Sequence, residues 1–243
     1  MKIRFASYSQ VMGKYHFVSL PKVVPMKFQA AIFDMDGLLL DTERVCMTVF
    51  EQACQALGVP FLKEIYLSII GRNAAGIEQV LRTGYGPQLD YPVLHKEWRK
   101  RYDAVVKHQA IPIKEGVIEL LQWLKANNIP TAVATSTQKE VASIKLKLAQ
   151  LDHYFDSFTT GCEVTHGKPD PEIYLLAAQR LEVEPKFCLA FEDSNNGVIS
   201  AVSANMITYQ IPDLVEPSQE VLALGHQVVP SLHDVLAMLK NQH

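Results

Sequence analysis

Short apolar runs recur along the chain, and each ends in polar residues. The first covers residues 28–33 and ends at Asp34, and similar runs cover residues 130–134 and 187–191. Runs of this length are typical of strands buried on both faces of a parallel sheet. A helical pattern follows each run, so the repeated β–α units predict an α/β fold with a right-handed, doubly wound, Rossmann-like sheet. Weaker patterns predict two more strands and a last amphipathic helix, at residues 206–210, 227–229 and 232–239.

Two helix starts support these boundaries. Thr137 is followed three residues later by Glu140, which is the pattern of a capping box. Asp170 precedes Pro171, and this pair predicts a cap residue before a proline in the first helical turn.

A long helical segment interrupts the predicted sheet after its first strand. Residues 42–112 are too many for a loop and read as helices throughout. An insertion at the carboxyl end of a strand lies where ligands bind in open α/β sheets. We therefore expect a helical cap domain, the cap segment (residues 42–112), on a core formed by residues 27–41 and 113–243. The predicted helices of the cap segment cover residues 42–57, 61–69, 73–83 and 89–109.

Residues 1–26 form a basic N-terminal extension, since the first acidic residue of the chain is Asp34. Such a segment resembles an organellar transit peptide, but it contains one arginine and no apolar core of secretory type. A dispensable extension is the alternative, because Met26 stands immediately before the first predicted strand.

Composition excludes several functional classes. The 243 residues are 48% hydrophobic and carry a formal net charge of −3, and the basic residues are scattered, which argues against binding nucleic acid. No stretch reaches the roughly 18 consecutive apolar residues of a membrane helix, so we expect a soluble protein. The four cysteines show no metal-binding spacing, which favours a reducing cytoplasm. A monomer would suffice for this architecture.

Carboxylates follow two of the predicted strands. Asp34 and Asp36 flank one residue at a strand end, with Gly37 permitting a tight turn with exposed N–H groups, and Glu192 and Asp193 end another strand. If both strands are central and parallel, these groups converge and raise one another's pKa values. A hard divalent cation would neutralise them, and an all-oxygen ligand set favours Mg²⁺.

The same edge offers groups that can bind phosphate. Lys168 precedes a predicted helix, and Thr135 with Ser136 lies between a strand and a helix start, where hydroxyls and N–H groups can hold an anion. An aspartate can attack phosphorus, while the leaving oxygen needs a proton from a second group. The residues therefore predict Asp34 as nucleophile and Asp36 as general acid and base.

Four motifs in this order resemble those of the haloacid dehalogenase-like hydrolases. They bracket nearly everything from Phe28 to the C-terminus, and their joint occurrence is far more specific than any one of them. The motifs are Asp34-Met35-Asp36-Gly37-Leu38-Leu39-Leu40-Asp41-Thr42, Ala134-Thr135-Ser136, Gly167-Lys168-Pro169, and Glu192-Asp193-Ser194 with Gly197.

The resemblance implies a Rossmann-like core with a helical cap and an aspartyl-phosphate on Asp34. It also implies that Asp36 lends its backbone carbonyl to Mg²⁺, that Asp193 completes the coordination, and that Glu192 binds the metal directly or supports its ligands. Ser136 or Thr135 would bind phosphate, and Lys168 would hold nucleophile and phosphate. The chain is most similar to the branch of β-phosphoglucomutase, small sugar phosphatases and pseudouridine-5'-phosphatase, which implies a small phosphorylated metabolite as substrate.

Three alternatives remain beside a phosphatase. A β-phosphoglucomutase-like mutase is disfavoured because the family's cap histidine is replaced here by Cys46. A haloacid dehalogenase needs no metal and would leave the acidic cluster without a use, and a regulatory module would be expected to lack a catalytic residue. In the cap segment, Glu43, Arg72 and Asn73 stand near predicted helix starts, either contacting substrate or serving as surface charges and caps.

Overall fold

A computed structural model describes residues 28–70, 72 and 74–241, so the N-terminal extension and Asn73 lie outside the described residues. The described residues contain a six-stranded sheet of order β3-β2-β1-β4-β5-β6, with every neighbouring pair parallel. This arrangement confirms the predicted doubly wound fold. The strands are β1 (Ala30–Phe33), β2 (Thr131–Thr135), β3 (Ser157–Thr160), β4 (Cys188–Glu192), β5 (Ile207–Gln210) and β6 (Gln227–Val228).

Strand β1 lies at the centre of the sheet and is buried on both faces. Ala31 and Phe33 belong to the hydrophobic cluster on one face, while Ala30 and Ile32 belong to the cluster on the other. Successive side chains of a strand point to opposite faces, so an apolar run without polar alternation suits this position.

Helices cover both faces of the sheet. Helices α5, α6 and α10 contribute leucines, alanine and valine to the cluster that contains Phe33, and α7 and α8 contribute to the cluster that contains Ile32. The helices assigned among the described residues are α1 (Thr42–Ala56), α2 (Lys63–Leu67), α3 (Ala74–Tyr85), α4 (Tyr91–His108), α5 (Val117–Ala126), α6 (Lys139–Leu148), α7 (Glu172–Arg180), α8 (Asn195–Ser203), α9 (Gln219–Leu222) and α10 (Leu232–Lys240).

Helices α1 to α4 share a hydrophobic cluster of their own. Phe50 lies at its centre, with its ring 4.9 Å from that of Trp98 and 5.1 Å from that of Tyr66. Edge-on and tilted contacts of this kind stabilise aromatic clusters beyond the area that they bury. A separate cluster is what an independent cap would need, although the domain boundaries at residues 41–42 and 112–113 remain predictions.

Three local features of the structure differ from the predictions made from the sequence. The polar run of β3 was not predicted as a strand, because Ser157-Phe158-Thr159-Thr160 lacks an apolar run. The capping box predicted at Thr137 is wrong: Gln138 precedes α6, and the Thr137 hydroxyl instead donates to Asp36 over 2.6 Å. The cap predicted at Asp170 is displaced by one residue, since Pro171 is the N-cap of α7, although the Asp170 carboxylate accepts from the Glu172 N–H over 3.0 Å.

The helices of the described residues do not meet the requirements of a membrane span. None of them combines the length and the apolar character needed to cross a bilayer.

Candidate active site

The carboxyl ends of β1 and β4 bring three acidic side chains together. Asp34 follows β1, and its N–H donates to the carbonyl of Phe191 in β4 over 3.0 Å. The parallel register places Phe33 opposite Phe191, so the residues that follow both strands emerge at the same edge. Carboxylate oxygens of Asp34, Glu192 and Asp193 all lie within 4.8 Å of one another.

The side chain of Lys168 lies at this edge of the sheet and forms ion pairs with two of these carboxylates. Its Nζ lies 2.5 Å from Asp34 Oδ1 and 2.6 Å from Glu192 Oε1, and it also donates to the carbonyl of Ala134 over 3.0 Å. The Lys168 side chain is only 7% exposed. Water therefore screens these ion pairs weakly, and the ammonium group fixes the direction of the Asp34 carboxylate.

Glu192 is fully buried, and its carboxylate accepts hydrogen bonds from several side chains. The Tyr174 hydroxyl donates to Oε1 over 2.6 Å, and the Ser194 hydroxyl donates to Oε2 over 3.2 Å. A Cβ atom at Gly197 would collide with the Glu192 carboxylate. The glycine of the last motif therefore leaves room for the buried acid at the start of α8.

Gly37 packs directly against the acidic cluster. Its φ of +89° lies in the left-handed region, and a Cβ atom there would overlap the carboxylate of Asp193. The backbone turn after β1 can approach Asp193 this closely only without a side chain. Gly37 therefore lies at the predicted site, but its N–H donates to the carbonyl of Leu40 over 2.9 Å and is not exposed for phosphate as the sequence predicts.

The cluster strongly perturbs proton binding. Burial raises the pKa of Asp34 to about 7, and the charges of Glu192 and Asp36 also raise it, while Lys168 lowers it. Burial, together with Asp34 and Glu192, raises the pKa of Asp193 well above its usual range. Close carboxylates with one ammonium group leave surplus negative charge, and their oxygen atoms are the ligands that a hard divalent cation prefers. The donor set therefore fits a divalent metal.

Asp36 lies in a different environment from Asp34. Lys145 Nζ lies 2.7 Å from Oδ1, and the Thr137 hydroxyl donates to Oδ2 over 2.6 Å. Although burial opposes ionisation, Lys145 and Thr137 together lower the pKa of Asp36 below its usual value. Sequence reasoning missed Lys145, because in the sequence it looks like any other helical lysine.

The predicted phosphate-binding pair lies at the end of β2, beside β1. Thr135 is 1% exposed, and its hydroxyl accepts from the N–H of Thr137 over 3.1 Å. Ser136 is exposed, and a Cβ atom at Gly161 would collide with its carbonyl. Ser136 is thus the more accessible of the two.

The three predicted cap residues have separate positions. Glu43 lies in the first turn of α1, where burial and the charges of Asp36 and Asp213 raise its pKa to about 7. Arg72 is exposed, and its Nε donates to the carbonyl of Ser68 over 2.6 Å. Asn73 lies outside the described residues. The structure therefore brings Glu43 to the acidic edge and leaves Arg72 on the surface of the cap segment.

Comparisons with known proteins agree with this geometry. The chain is 31% identical over 217 residues to a phosphorylated carbohydrates phosphatase of Thermotoga maritima, covering 87% of this chain and 98% of that protein. It is 35% identical over 217 residues to a probable pseudouridine-5'-phosphatase of Drosophila melanogaster, covering 86% and 91%.

A solved structure shows the same architecture. The crystal structure of CbbY from Rhodobacter sphaeroides in complex with phosphate is 27% identical, with a TM-score of 0.68, and the match covers 86% of this chain and 96% of that one. The profile of the haloacid dehalogenase-like hydrolases matches residues 28–205. The chain therefore belongs to the family of haloacid dehalogenase-like hydrolases.

Proposed function

We propose that this protein is a Mg²⁺-dependent phosphatase that cleaves small phosphomonoesters through an aspartyl-phosphate on Asp34. The observation that carries the proposal is the gathering of Asp34, Glu192 and Asp193 around the buried ammonium group of Lys168. An acidic edge of this kind repels a phosphate dianion unless cations lie at the same place. The group combines a carboxylate nucleophile with the means to bind its anionic substrate.

The first step transfers the phosphoryl group to Asp34. A carboxylate oxygen of Asp34 bonds to phosphorus as the bond to the leaving oxygen breaks, and Asp36 gives its proton to that oxygen. Lys168, whose ammonium group contacts Asp34, stabilises the charge of the transferring oxygens. The alcohol then leaves.

The second step returns the enzyme to its starting state. Asp36, now ionised, takes a proton from a water molecule whose oxygen bonds to phosphorus, and the bond between Asp34 and phosphorus breaks. Inorganic phosphate is released, and Asp36 again holds a proton. Because Lys145 and Thr137 lower the pKa of Asp36, the ionised form that takes a proton in the second step is favoured, and the protonated form that the first step uses is the scarcer one.

The carboxylates of Asp34 and Asp193, with the backbone carbonyl of Asp36, would hold Mg²⁺, and Glu192 would bind it or support Lys168. Bound there, Mg²⁺ would neutralise the carboxylates and withdraw charge from the phosphoryl oxygens. The raised pKa values of Asp34 and Asp193 support this assignment, because burial and the neighbouring carboxylates disfavour their ionised forms, which a bound cation would stabilise.

Sugar phosphates and nucleoside phosphates are the substrate class we propose. The support is the relatives named for phosphorylated carbohydrates and for pseudouridine 5'-phosphate. Ser136 and Thr135 are proposed to bind the phosphoryl group, and Gly37 is proposed only to leave room beside Asp193, because its N–H donates to the carbonyl of Leu40. Glu43, Arg72 and Asn73 are proposed to contact the leaving group.

Mutase activity is the second candidate, since the family resemblance includes β-phosphoglucomutase. A mutase must keep water away from the aspartyl-phosphate until the bound sugar phosphate has reoriented. In β-phosphoglucomutase a cap histidine controls the acid–base residue that corresponds to Asp36, and Cys46 stands at the position of that histidine here. Burial raises the pKa of the Cys46 thiol to about 11, so the thiol stays protonated and does not titrate near neutral pH. Hydrolysis is therefore favoured over isomerisation, and dehalogenation is favoured least because it needs no metal.

The test is phosphate release from p-nitrophenyl phosphate by the wild type, by Asp34→Asn and by a matched surface control, Asp103→Asn. Asp103 lies on α4, with its side chain 42% exposed. We expect Asp34→Asn to lose at least about 10³-fold in kcat, Asp103→Asn to match the wild type, and EDTA to abolish activity. Activity that survives EDTA or the Asp34 substitution would refute the proposal.

The same enzyme can then separate hydrolysis from isomerisation. Initial rates on a panel of sugar and nucleoside phosphates give the preferred leaving group, and ³¹P NMR shows whether the product is inorganic phosphate or an isomeric sugar phosphate. Isomer formation without phosphate release would favour the mutase.

A further inference from the structure

A buried lysine lies next to the catalytic carboxylates but outside the four motifs. Lys145 on α6 is 2% exposed, whereas Lys147, two residues along the same helix, is exposed. Its Nζ lies 2.7 Å from Asp36 Oδ1 and 2.9 Å from the hydroxyl of Tyr102. Burying an ammonium group is costly unless it is paired, so this lysine occupies its position because of the groups around it.

These contacts join three parts of the chain. Asp36 follows the central strand β1, Lys145 belongs to a helix of the core, and Tyr102 belongs to α4 in the cap segment. The Tyr102 ring also lies 5.3 Å from the Lys145 ammonium group, which adds a cation–π contact to the hydrogen bond. The side chain of Asp36 is therefore linked to α4 through Lys145.

Both oxygens of Asp36 have a partner. Lys145 holds Oδ1, and the Thr137 hydroxyl holds Oδ2 over 2.6 Å. Two directional contacts on opposite oxygens fix the plane of a carboxylate, which one contact leaves free to turn. Small errors in the placement of an acid or base can cost large factors in rate.

We propose that Lys145, held by Tyr102, is a positioning residue that orients the Asp36 carboxylate for its proton transfers. The inference rests on the proposed function, because it assigns Lys145 a part in the work of Asp36. Lys145 touches no reacting atom in this scheme. Its effect on the rate is exerted through Asp36, and Tyr102 makes that effect sensitive to the seating of the cap segment on the core.

A double-mutant cycle tests the inference. The variants are Lys145→Met, Asp36→Asn and the pair together, with Lys147→Met as the matched control on the exposed face of α6. The substrate is an alkyl phosphate that the wild type hydrolyses, because an alkoxide leaving group needs the proton. Thermal unfolding with and without Mg²⁺ accompanies each assay and shows whether a variant is folded and still responds to the metal.

Lys145→Met is expected to lower kcat by about 10- to 100-fold with less than about a 3-fold change in KM, since general acid–base catalysis is worth about 10²- to 10⁴-fold. In Asp36→Asn the further loss of Lys145 should cost less than about 3-fold, because the group through which it acts is gone. Losses that multiply in the double variant, or a Lys145→Met enzyme as active as Lys147→Met, would overturn the inference.

Tyr102→Phe keeps the test usable if Lys145→Met does not fold. It removes one hydroxyl and leaves the ion pair, so a loss of about 3- to 10-fold in kcat is expected, and this loss should also vanish in the Asp36→Asn background. Tyr102→Phe at the wild-type rate would contradict the role given to α4. Absence of phosphatase activity in the wild type would instead refute the proposed function.

Discussion

Asp34 and Asp36 are separated by one residue, yet the pKa values of their carboxyl groups are shifted in opposite directions. Burial and neighbouring carboxylates raise the pKa of Asp34 to about 7, whereas Lys145 and Thr137 lower the pKa of Asp36. The difference lies in the partners. Asp34 shares its lysine with a second carboxylate, Glu192, whereas Lys145 forms an ion pair with Asp36 and a hydrogen bond with the neutral hydroxyl of Tyr102.

This contrast suggests how one strand end can supply two roles. The site around Asp34 has an excess of negative charge and gains most from a cation, which is the state expected of a metal-binding nucleophile. The site around Asp36 is already balanced by Lys145 and Thr137, so the proton transfers proposed for its carboxylate need no further cation. Local charge balance therefore separates the roles proposed for two identical side chains.

The largest expected effect comes from removing the cation on the Asp34 side. Lys168→Met leaves the fully buried Glu192 and the nearly buried Asp34 without their ammonium partner. We expect the free energy of unfolding in EDTA at pH 7 to fall by about 3–5 kcal/mol, as for other broken buried ion pairs. Urea unfolding of the metal-free protein measures this change.

Lys139→Met is the matched control for that measurement. Lys139 is 70% exposed and lies 3.8 Å from its carboxylate partner Glu163, so its loss should change stability by less than about 1 kcal/mol. Equal effects of the two substitutions would show that the buried ion pairs of Lys168 contribute no more to stability than the exposed pair of Lys139.

A smaller effect is expected on the Asp36 side. Thr137→Val keeps the shape of the side chain but removes the hydroxyl that donates to Asp36 Oδ2, so unfolding at pH 7 should become easier by about 2 kcal/mol. A carboxylate with a lowered pKa stabilises the fold above its unfolded value of 3.8, and this stabilisation is lost as the pH falls through the folded pKa. The difference between wild type and variant should therefore shrink at pH 3, and a constant difference would contradict it.

Much of the fold and part of the site could be predicted from the sequence because they depend on local pattern. Apolar runs that lead into Asp34 and Glu192 predict two strands, and if both are central and parallel their carboxyl ends share an edge. The structure pairs these strands in parallel as neighbours. The structure brings Asp34, Lys168, Glu192 and Asp193 together there.

The lowered pKa of Asp36 could not be predicted from the sequence, because it depends on how the helices pack. From like-charge repulsion alone, both aspartates were expected to have raised pKa values. Lys145 reverses this for Asp36, but Lys145 and Lys147 look alike in the sequence until α6 packs against α4 and buries only one of them. Likewise, Thr137 was interpreted as a helix cap, since nothing local shows that its hydroxyl faces a residue 101 positions away.

The smallest expected effect is a gain in stability. Because the folded pKa of Asp34 is about 7 and its ordinary value is 3.8, the folded protein binds this proton more tightly than the unfolded chain does. The wild type therefore loses stability at this group as the pH rises from about 4 to 7. Asp34→Asn removes the charge, so in EDTA it should be more stable than the wild type by on the order of 1 kcal/mol at pH 8 and gain little at pH 4.

Urea unfolding at pH 4, 6 and 8 measures this gain, and Asp103→Asn should show no matching trend because its carboxylate is on the surface. Mg²⁺ should reverse the order at pH 8, since only the wild type has the full set of charged ligands with which to bind it. If Asp34→Asn is instead the less stable protein at pH 8 in EDTA, the attraction of Lys168 outweighs burial and repulsion at Asp34. The two aspartates would then be stabilised in the same way, and the division of roles would need another cause.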